Sequence, residues 1–406
     1  CYISTNMADE VQCVAELKKI ACEAIDKSSQ DLRELSKIWQ NPELNFKEIK
    51  SHGFLTEFFK ENSFHVTPSW TLETAFLAKY GGTEGPCVGI ICEYDALPSV
   101  GHACGHNLIS EAGAGAAIGI QAALNKTGNK LGKLHVLGTP AEEGGGGKLF
   151  MINNGCFNDV DFSMMVHPCP YDGVCVKFLR IKKVFVTFKG FAAHAAAFPW
   201  EGINALDAAV MTYSSINSMR QQMKPQWRVH GVIHEGGVKP NIIPDRSRME
   251  YYLRTPNNKD MEVLVAKVTA CFEAAAKATG CTHEVEWIES ASYMDMNINL
   301  KLADLYRSNA QNLGIKFLSQ EEEANLPMGS TDMGNVSYTV PSIHPMYGID
   351  TTAPNHSHGF TAAAATDAAH EKTLIAAKAL AMTAIDVMSN PDTLKLIKEQ
   401  FKESFI

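Results

Sequence analysis

The chain has 406 residues, 45% of them hydrophobic and 20% charged, the balance of a soluble globular protein too long for one ordinary core. Its net charge of −9 excludes a general nucleic-acid binder, because no basic surplus is left to meet phosphates. No apolar run approaches the ~20 residues of a membrane helix, and no basic segment followed by an apolar core marks a secretory signal.

Eleven cysteines are scattered without a framework, which fits reduced thiols in a cytoplasmic protein better than disulfides. Met7-Ala8-Asp9-Glu10 reads like a native start, with Cys1–Asn6 expected to be a cloning remnant.

Residues 11–38 carry helical periodicity through Val14, Leu17, Ile20, Ala21, Ala24 and Ile25, and Asn41-Pro42 stops it. A second helix is predicted over Lys47–Glu61. Thr74–Tyr80 and Cys87–Cys92 read as strands around a Gly-rich turn. The second runs into Glu93-Tyr94-Asp95 and then Gly101-His102-Ala103-Cys104-Gly105-His106-Asn107. Ser110–Leu124, rich in Ala and Gly, is predicted as a buried helix.

Leu134–Thr139 is a short strand ending in Pro140-Ala141-Glu142-Glu143 and four glycines; Phe162–Val166 is another, ending in His167. Strands alternating with helices predict an α/β layer with a mainly parallel sheet. Each polar cluster follows a strand, where such sheets place their ligands.

From about Ile181 the pattern changes. Strands at Val184–Lys189, Val229–His234, Arg248–Arg254 and Thr282–Glu289 alternate with helices at Asn204–Met223 and Asp260–Thr279, the order of a ferredoxin-like α+β unit. The predicted organisation is a discontinuous domain of residues 1–182 and 297–406 with an inserted α+β domain at 183–296. Leu300–Leu313 and Ala362–Met388 complete the first domain as helices.

The clusters Glu93/Asp95, Cys104/His106, Glu142/Glu143, His167 and His356/His358 are all of metal-ligand type. Cys104 and His106, two apart, share one face of an extended segment. Adjacent Glu142 and Glu143 are costly together without cations. One thiolate, one carboxylate and three imidazoles fit a pair of divalent ions, which would leave the second glutamate as a general base. His102 is read as a packing histidine, and Asp332 as either a turn former or a partner behind the site. The run Gly144–Gly147 matches neither GxGxxG nor the P-loop, so close backbone packing is the better reading.

GHACGHN, GTPAEEGGGG, MVHP, FKGFAAHAAAFPWEGINAL, GGVKPNIIPD and GSTDMGNVS occur in this order. Together they resemble the aminoacylase/carboxypeptidase family of metallopeptidases, in its amidohydrolase branch, over about residues 32–381. The resemblance implies a di-metal exopeptidase-type catalytic domain with an inserted lid that also forms a homodimer. It implies two divalent metals, zinc or manganese, with the thiolate favouring zinc.

The ligand positions it implies are Cys104 as the bridge, His106, Glu143, His167 and His356, with Glu142 as general base and Asp95 supporting the site. His194 matches a lid histidine that, in relatives, reaches the partner's active site and stabilises the oxyanion. Asn241 and Arg254 match positions that hold the substrate carboxylate. The implied reaction is amide hydrolysis of dipeptides or N-acyl amino acids. The most similar members cleave β-alanyl-lysine and Xaa-Arg dipeptides, and p-aminobenzoyl-glutamate hydrolases lie near. Two departures are Asn107, where the branch has aspartate, and His358, where it has proline.

Overall fold

A computed structural model describes residues 7–35, 37–326 and 329–405. Cys1–Asn6 lies outside the described residues. The chain divides into two compact units, one of residues 1–177, 296–328 and 332–406, the other of 178–295 with 329–331.

The first unit contains β1 (His65–Pro68), β2 (Phe76–Gly81), β3 (Cys87–Glu93), β4 (Lys133–Thr139), β5 (Phe162–Met164) and β6 (His167–Cys169). The second contains β7 (Arg180–Lys189), β8 (Arg228–Glu235), β9 (Arg246–Thr255) and β10 (Thr282–Ile288). The chain then returns to the first with β11 (Ser342–Ile343) and β12 (Met346–Gly348).

The main sheet runs β1-β2-β4-β3-β5-β11. Its β4–β3, β3–β5 and β5–β11 pairs are parallel, while β1 and β2 form an antiparallel edge. β3 is buried at every residue, as a central parallel strand covered on both faces must be. The helix His106–Lys126 is buried along most of its length, and its Ala- and Gly-rich surface packs against Met7–Lys27, Asp367–Met388 and β3. The side chain of His106, the first residue of that helix, is therefore fixed by the best-packed element in the unit.

The periodic run at 11–38 is not one helix. It breaks into Met7–Lys27, Ser29–Glu34 and Lys37–Gln40. The predicted helix Ala362–Met388 is also two, His358–Ala363 and Asp367–Met388, because the Thr366 side chain accepts from Ala369 N and starts a new helix. The helices Gly147–Asn153 and Pro391–Glu403 and the strands β1, β6, β11 and β12 were not expected. Most are too short to show a period.

The second unit has the sheet order β10-β7-β9-β8 with every pair antiparallel, and the helices Ala205–Ser218 and Asn258–Thr279 pack against it. This is the ferredoxin-like arrangement predicted from the element order. Its core is built from Val184, Val186, Phe188, Met249, Leu253 and Phe272 among others.

His135 on β4 is buried between Lys79 and Lys133. Burial, then the Lys79 ammonium, push its pKa from 6.5 down to about 4. Because the unfolded chain binds this proton more readily, the stability His135 contributes is complete above pH 6.5 and is lost as pH falls through 4. Discounted for screening by solvent, the loss is about 1–2 kcal/mol. Urea titrations of wild type and His135→Gln from pH 7 to pH 4 should therefore diverge on the acid side; parallel curves would refute the assignment.

Candidate metal centre

Asp95, just past the end of β3, joins two parts of the site. Its Oδ1 lies 3.0 Å from His106 Nδ1, and its Oδ2 accepts from Glu143 N at 2.9 Å. The first contact directs the His106 Nδ1 proton to Asp95 and turns Nε2 toward Glu93 and Glu142, 3.6 and 4.0 Å away. The second holds the turn that follows β4, which carries both glutamates.

Cys104 lies in the loop before the His106 helix. Gly105 beside it has φ +83, and a Cβ there would stand 2.5 Å from Pro168 Cγ, so only glycine lets this loop approach the His167 strand. Cys104 Sγ is 3.4 Å from His167 Nε2, while His167 Nδ1 donates to Pro168 O at 2.9 Å. Burial, then His106, push the His167 pKa down to about 4, which keeps its ring neutral as a ligand must be.

His356, at φ +67, is stitched to the same loop: its N–H donates to Ala103 O at 2.8 Å. Its Nε2 lies 3.2 Å from Glu143 Oε1. Asn355 Nδ2 reaches both Cys104 O and Pro168 O.

Three groups of potential ligand atoms fall within 4.8 Å of one another: Cys104/His106/His167, Cys104/Glu143/His356 and His106/Glu142/Glu143. The first two share the Cys104 sulfur and together use all five ligand positions. His106 Nε2 and Glu93 Oε2 are buried without a hydrogen-bond partner among the described residues, 3.6 Å apart. Buried polar atoms are rarely left so, and a cation would satisfy them. The mixed S, N and O donor set fits a borderline divalent metal.

Burial, then the Glu143 charge, hold the Cys104 thiol well above its usual range. Glu142 is pushed well up by burial and then by Glu143, Glu93 and Asp332. Both groups would need nearby positive charge to ionise.

Behind the ligands, Lys148 Nζ donates to Glu93 Oε1 at 2.5 Å and to Asp332 Oδ1 at 2.6 Å, and its N–H donates to Asp332 Oδ2. All three are buried. Lys148 went unnoticed in the sequence; its one signal is an ammonium at the start of an apolar helical stretch. Asp332 is its partner. His344, also buried, packs edge-on to His167 with ring centroids 5.5 Å apart, and it too went unnoticed. His102 bonds Ile38 O at 3.1 Å and belongs to none of the three groups, nor does His358, which opens an exposed helical turn. Asn107 donates to Ala364 O at 3.1 Å, tying the His106 helix to the chain just beyond His356.

His194, Asn241 and Arg254 lie on the second unit. His194 is exposed, and its Nδ1 accepts from Ala196 N and Ala197 N at 3.2 and 3.1 Å, which places the ring proton on Nε2. Its loop is joined to the Asn241 loop by Ala195 N donating to Asn241 O. Arg254, half-buried on β9, donates to Ser330 Oγ at 2.9 Å.

The chain is 48% identical to the Xaa-Arg dipeptidase of Mus musculus, over 95% of this chain and 92% of that protein. It is 27% identical to one of the subunits of p-aminobenzoyl-glutamate hydrolase from Escherichia coli, over 96% of this chain and 95% of that subunit. The fold matches the crystal structure of a dinuclear metal binding peptidase of the M20 family from Bacillus subtilis, with a TM-score of 0.69 at 21% identity, covering 90% of this chain and 99% of that one. Residues 92–382 match the model of peptidase family M20/M25/M40, and the chain belongs to that family of hydrolases.

Proposed function

We propose that this protein is a metal-dependent dipeptidase that removes a basic C-terminal residue, arginine or lysine, from dipeptides. The observation that carries the reading is the pair of ligand triads sharing one sulfur, with the Glu142 carboxylate beside them. The 48% identity to an Xaa-Arg dipeptidase supports the substrate class.

Cys104, His106, Glu143, His167 and His356 would hold two divalent cations, zinc in preference to manganese because of the thiolate. When bound, the cations supply Lewis acidity to the scissile carbonyl and acidify water. Glu142 takes the proton of the attacking water as its oxygen adds to the carbonyl carbon. It then returns that proton to the leaving amine as the C–N bond breaks. Asp95 keeps His106 in one tautomer throughout. His194 Nε2–H, from the second subunit of a homodimer, donates to the tetrahedral oxyanion. Asn241 and Arg254 hold the substrate's terminal carboxylate, for which an arginine fork is suited.

The homodimer is supported by the exposed edge strand β8, with Val232 and Ile233 uncovered, and by Val210, Met211 and Tyr213 on the helix Ala205–Ser218. A monomer in sedimentation at enzyme-assay concentration would remove that part. A cytoplasmic setting fits the ten free thiols among the described residues, and intact activity only after oxidation would contradict it. No helix is long and apolar enough to cross a membrane among the described residues.

The test is a hydrolysis panel with zinc or manganese restored: dipeptides ending in Arg, Lys or ornithine, against N-acyl amino acids and p-aminobenzoyl-glutamate. The basic dipeptides should lead by at least ~10-fold in kcat/KM, the scale of discrimination one pocket contact can give. Preference for p-aminobenzoyl-glutamate would transfer the assignment to that branch.

The last ligand has its own test. His356→Ala should hold about one metal fewer per chain and lose at least ~10²-fold in kcat, while His358→Ala should keep both metals and turnover. The reverse result would exchange the two roles.

A further inference from the structure

The segment Glu43–Glu48 has no part in the roles above, yet it grips the turn that carries the proposed base. Glu48 is fully buried, and its Oε1 accepts two backbone N–H groups, Phe46 and Ala141, each at 3.0 Å. Its Oε2 accepts from Thr74 Oγ1 at 2.8 Å.

Both backbone donors belong to left-handed residues that are not glycine, Phe46 at φ 61 and Ala141 at φ 59. L-residues avoid that region, and such turns persist only where the surroundings over-determine them. Ala141 immediately precedes Glu142. Asn45 Nδ2 donates to Glu143 O at 2.6 Å from the same segment. The Phe46 side chain closes over the loop: a Cβ on Gly145 would stand 2.6 Å from Ala141 Cβ and 2.9 Å from Phe46 Cε2.

We propose that Glu48 is a positioning residue for catalysis: by holding Ala141 in its left-handed conformation it sets the direction in which Glu142 leaves the backbone. The proposal rests on Glu142 being the base. Among the described residues the Glu48 carboxylate bonds Phe46 N, Ala141 N and Thr74 Oγ1 and no ligand side chain, so its effect should appear in turnover rather than in substrate binding or metal content.

The test compares kcat, KM and metal content of the metal-restored wild type with Glu48→Ala, Glu48→Asp, Glu48→Gln and Glu142→Gln. Misplacing a catalytic group by about 1 Å can cost ~10²-fold, so Glu48→Ala and the shortened Glu48→Asp should lose about 30- to 100-fold in kcat, with KM and metal content unchanged. Glu48→Gln keeps an oxygen for both N–H groups and should recover to within about 5-fold of wild type. If the alanine variant does not fold, the aspartate variant carries the comparison. Wild-type kcat in Glu48→Asp, or a parallel decline of kcat, KM performance and metal content, overturns the proposal. An inactive Glu142→Gln beside an active Glu48→Asp refutes only the positioning role. An active Glu142→Gln refutes the base and the positioning role together.

Discussion

Glu142→Gln is expected to give a folded, metal-loaded protein whose kcat is lower by about 10²–10⁴-fold, the usual contribution of a positioned general base. Glutamine preserves the size of the side chain and one carbonyl oxygen but cannot accept a proton. Stability should not suffer. Burial and the Glu143, Glu93 and Asp332 carboxylates already favour the uncharged form of Glu142, so a neutral amide suits the same surroundings. Metal analysis beside steady-state kinetics on an Xaa-Arg dipeptide checks both halves. Near-normal turnover would end the assignment of Glu142 as base, and loss of metal would recast it as a ligand.

The second large effect is expected at Lys148, as a loss of stability. Burial by itself would lower the pKa of this ammonium, but Asp332 and Glu93 outweigh it and hold the group charged. Lys148→Met would leave two buried carboxylates without their cation. Breaking a buried ion pair in this way costs about 3–5 kcal/mol, a large part of the 5–15 kcal/mol (roughly) that domains have in total. Urea unfolding of the metal-free protein should show that loss.

A companion variant separates charge from packing. Adding Glu93→Gln and Asp332→Asn to Lys148→Met removes the stranded charges and should recover most of the stability, since neutral replacement of a buried ionic cluster is often tolerated. If Lys148→Met is as stable as wild type, the network is not a structural support. If the triple variant is no better than the single one, loss of the ammonium's shape, not its charge, is responsible.

The conformation of the chain at the site explains why such effects are expected there. His356 and Ala141 are both left-handed, and each is fixed by a hydrogen bond to a distant segment, Ala103 O for one and Glu48 for the other. Local preference opposes both conformations. A single lost partner can therefore move a ligand or the base without unfolding the unit.

The sequence by itself determined the classes of group available and their places on the chain: a thiol and an imidazole after β3, paired carboxylates after β4, an imidazole after β5. It also determined the inserted ferredoxin-like order, because strands and helices there are long enough for their periods to be read. It did not show the helix breaks at Ser28 and Thr366, since an apolar period continues across both interruptions, and only the second carries a side-chain cap. Only the tertiary structure decided which side chains meet. His356 comes within reach of Glu143 and Cys104 while His358, two residues on, does not. Lys148 finds Asp332 across 184 positions, and Glu48 finds Ala141 across 93. Those contacts depend on burial and on convergence of remote segments. An isolated Lys or Glu in a one-dimensional pattern has the same appearance whether it faces water or closes on a buried partner of opposite charge.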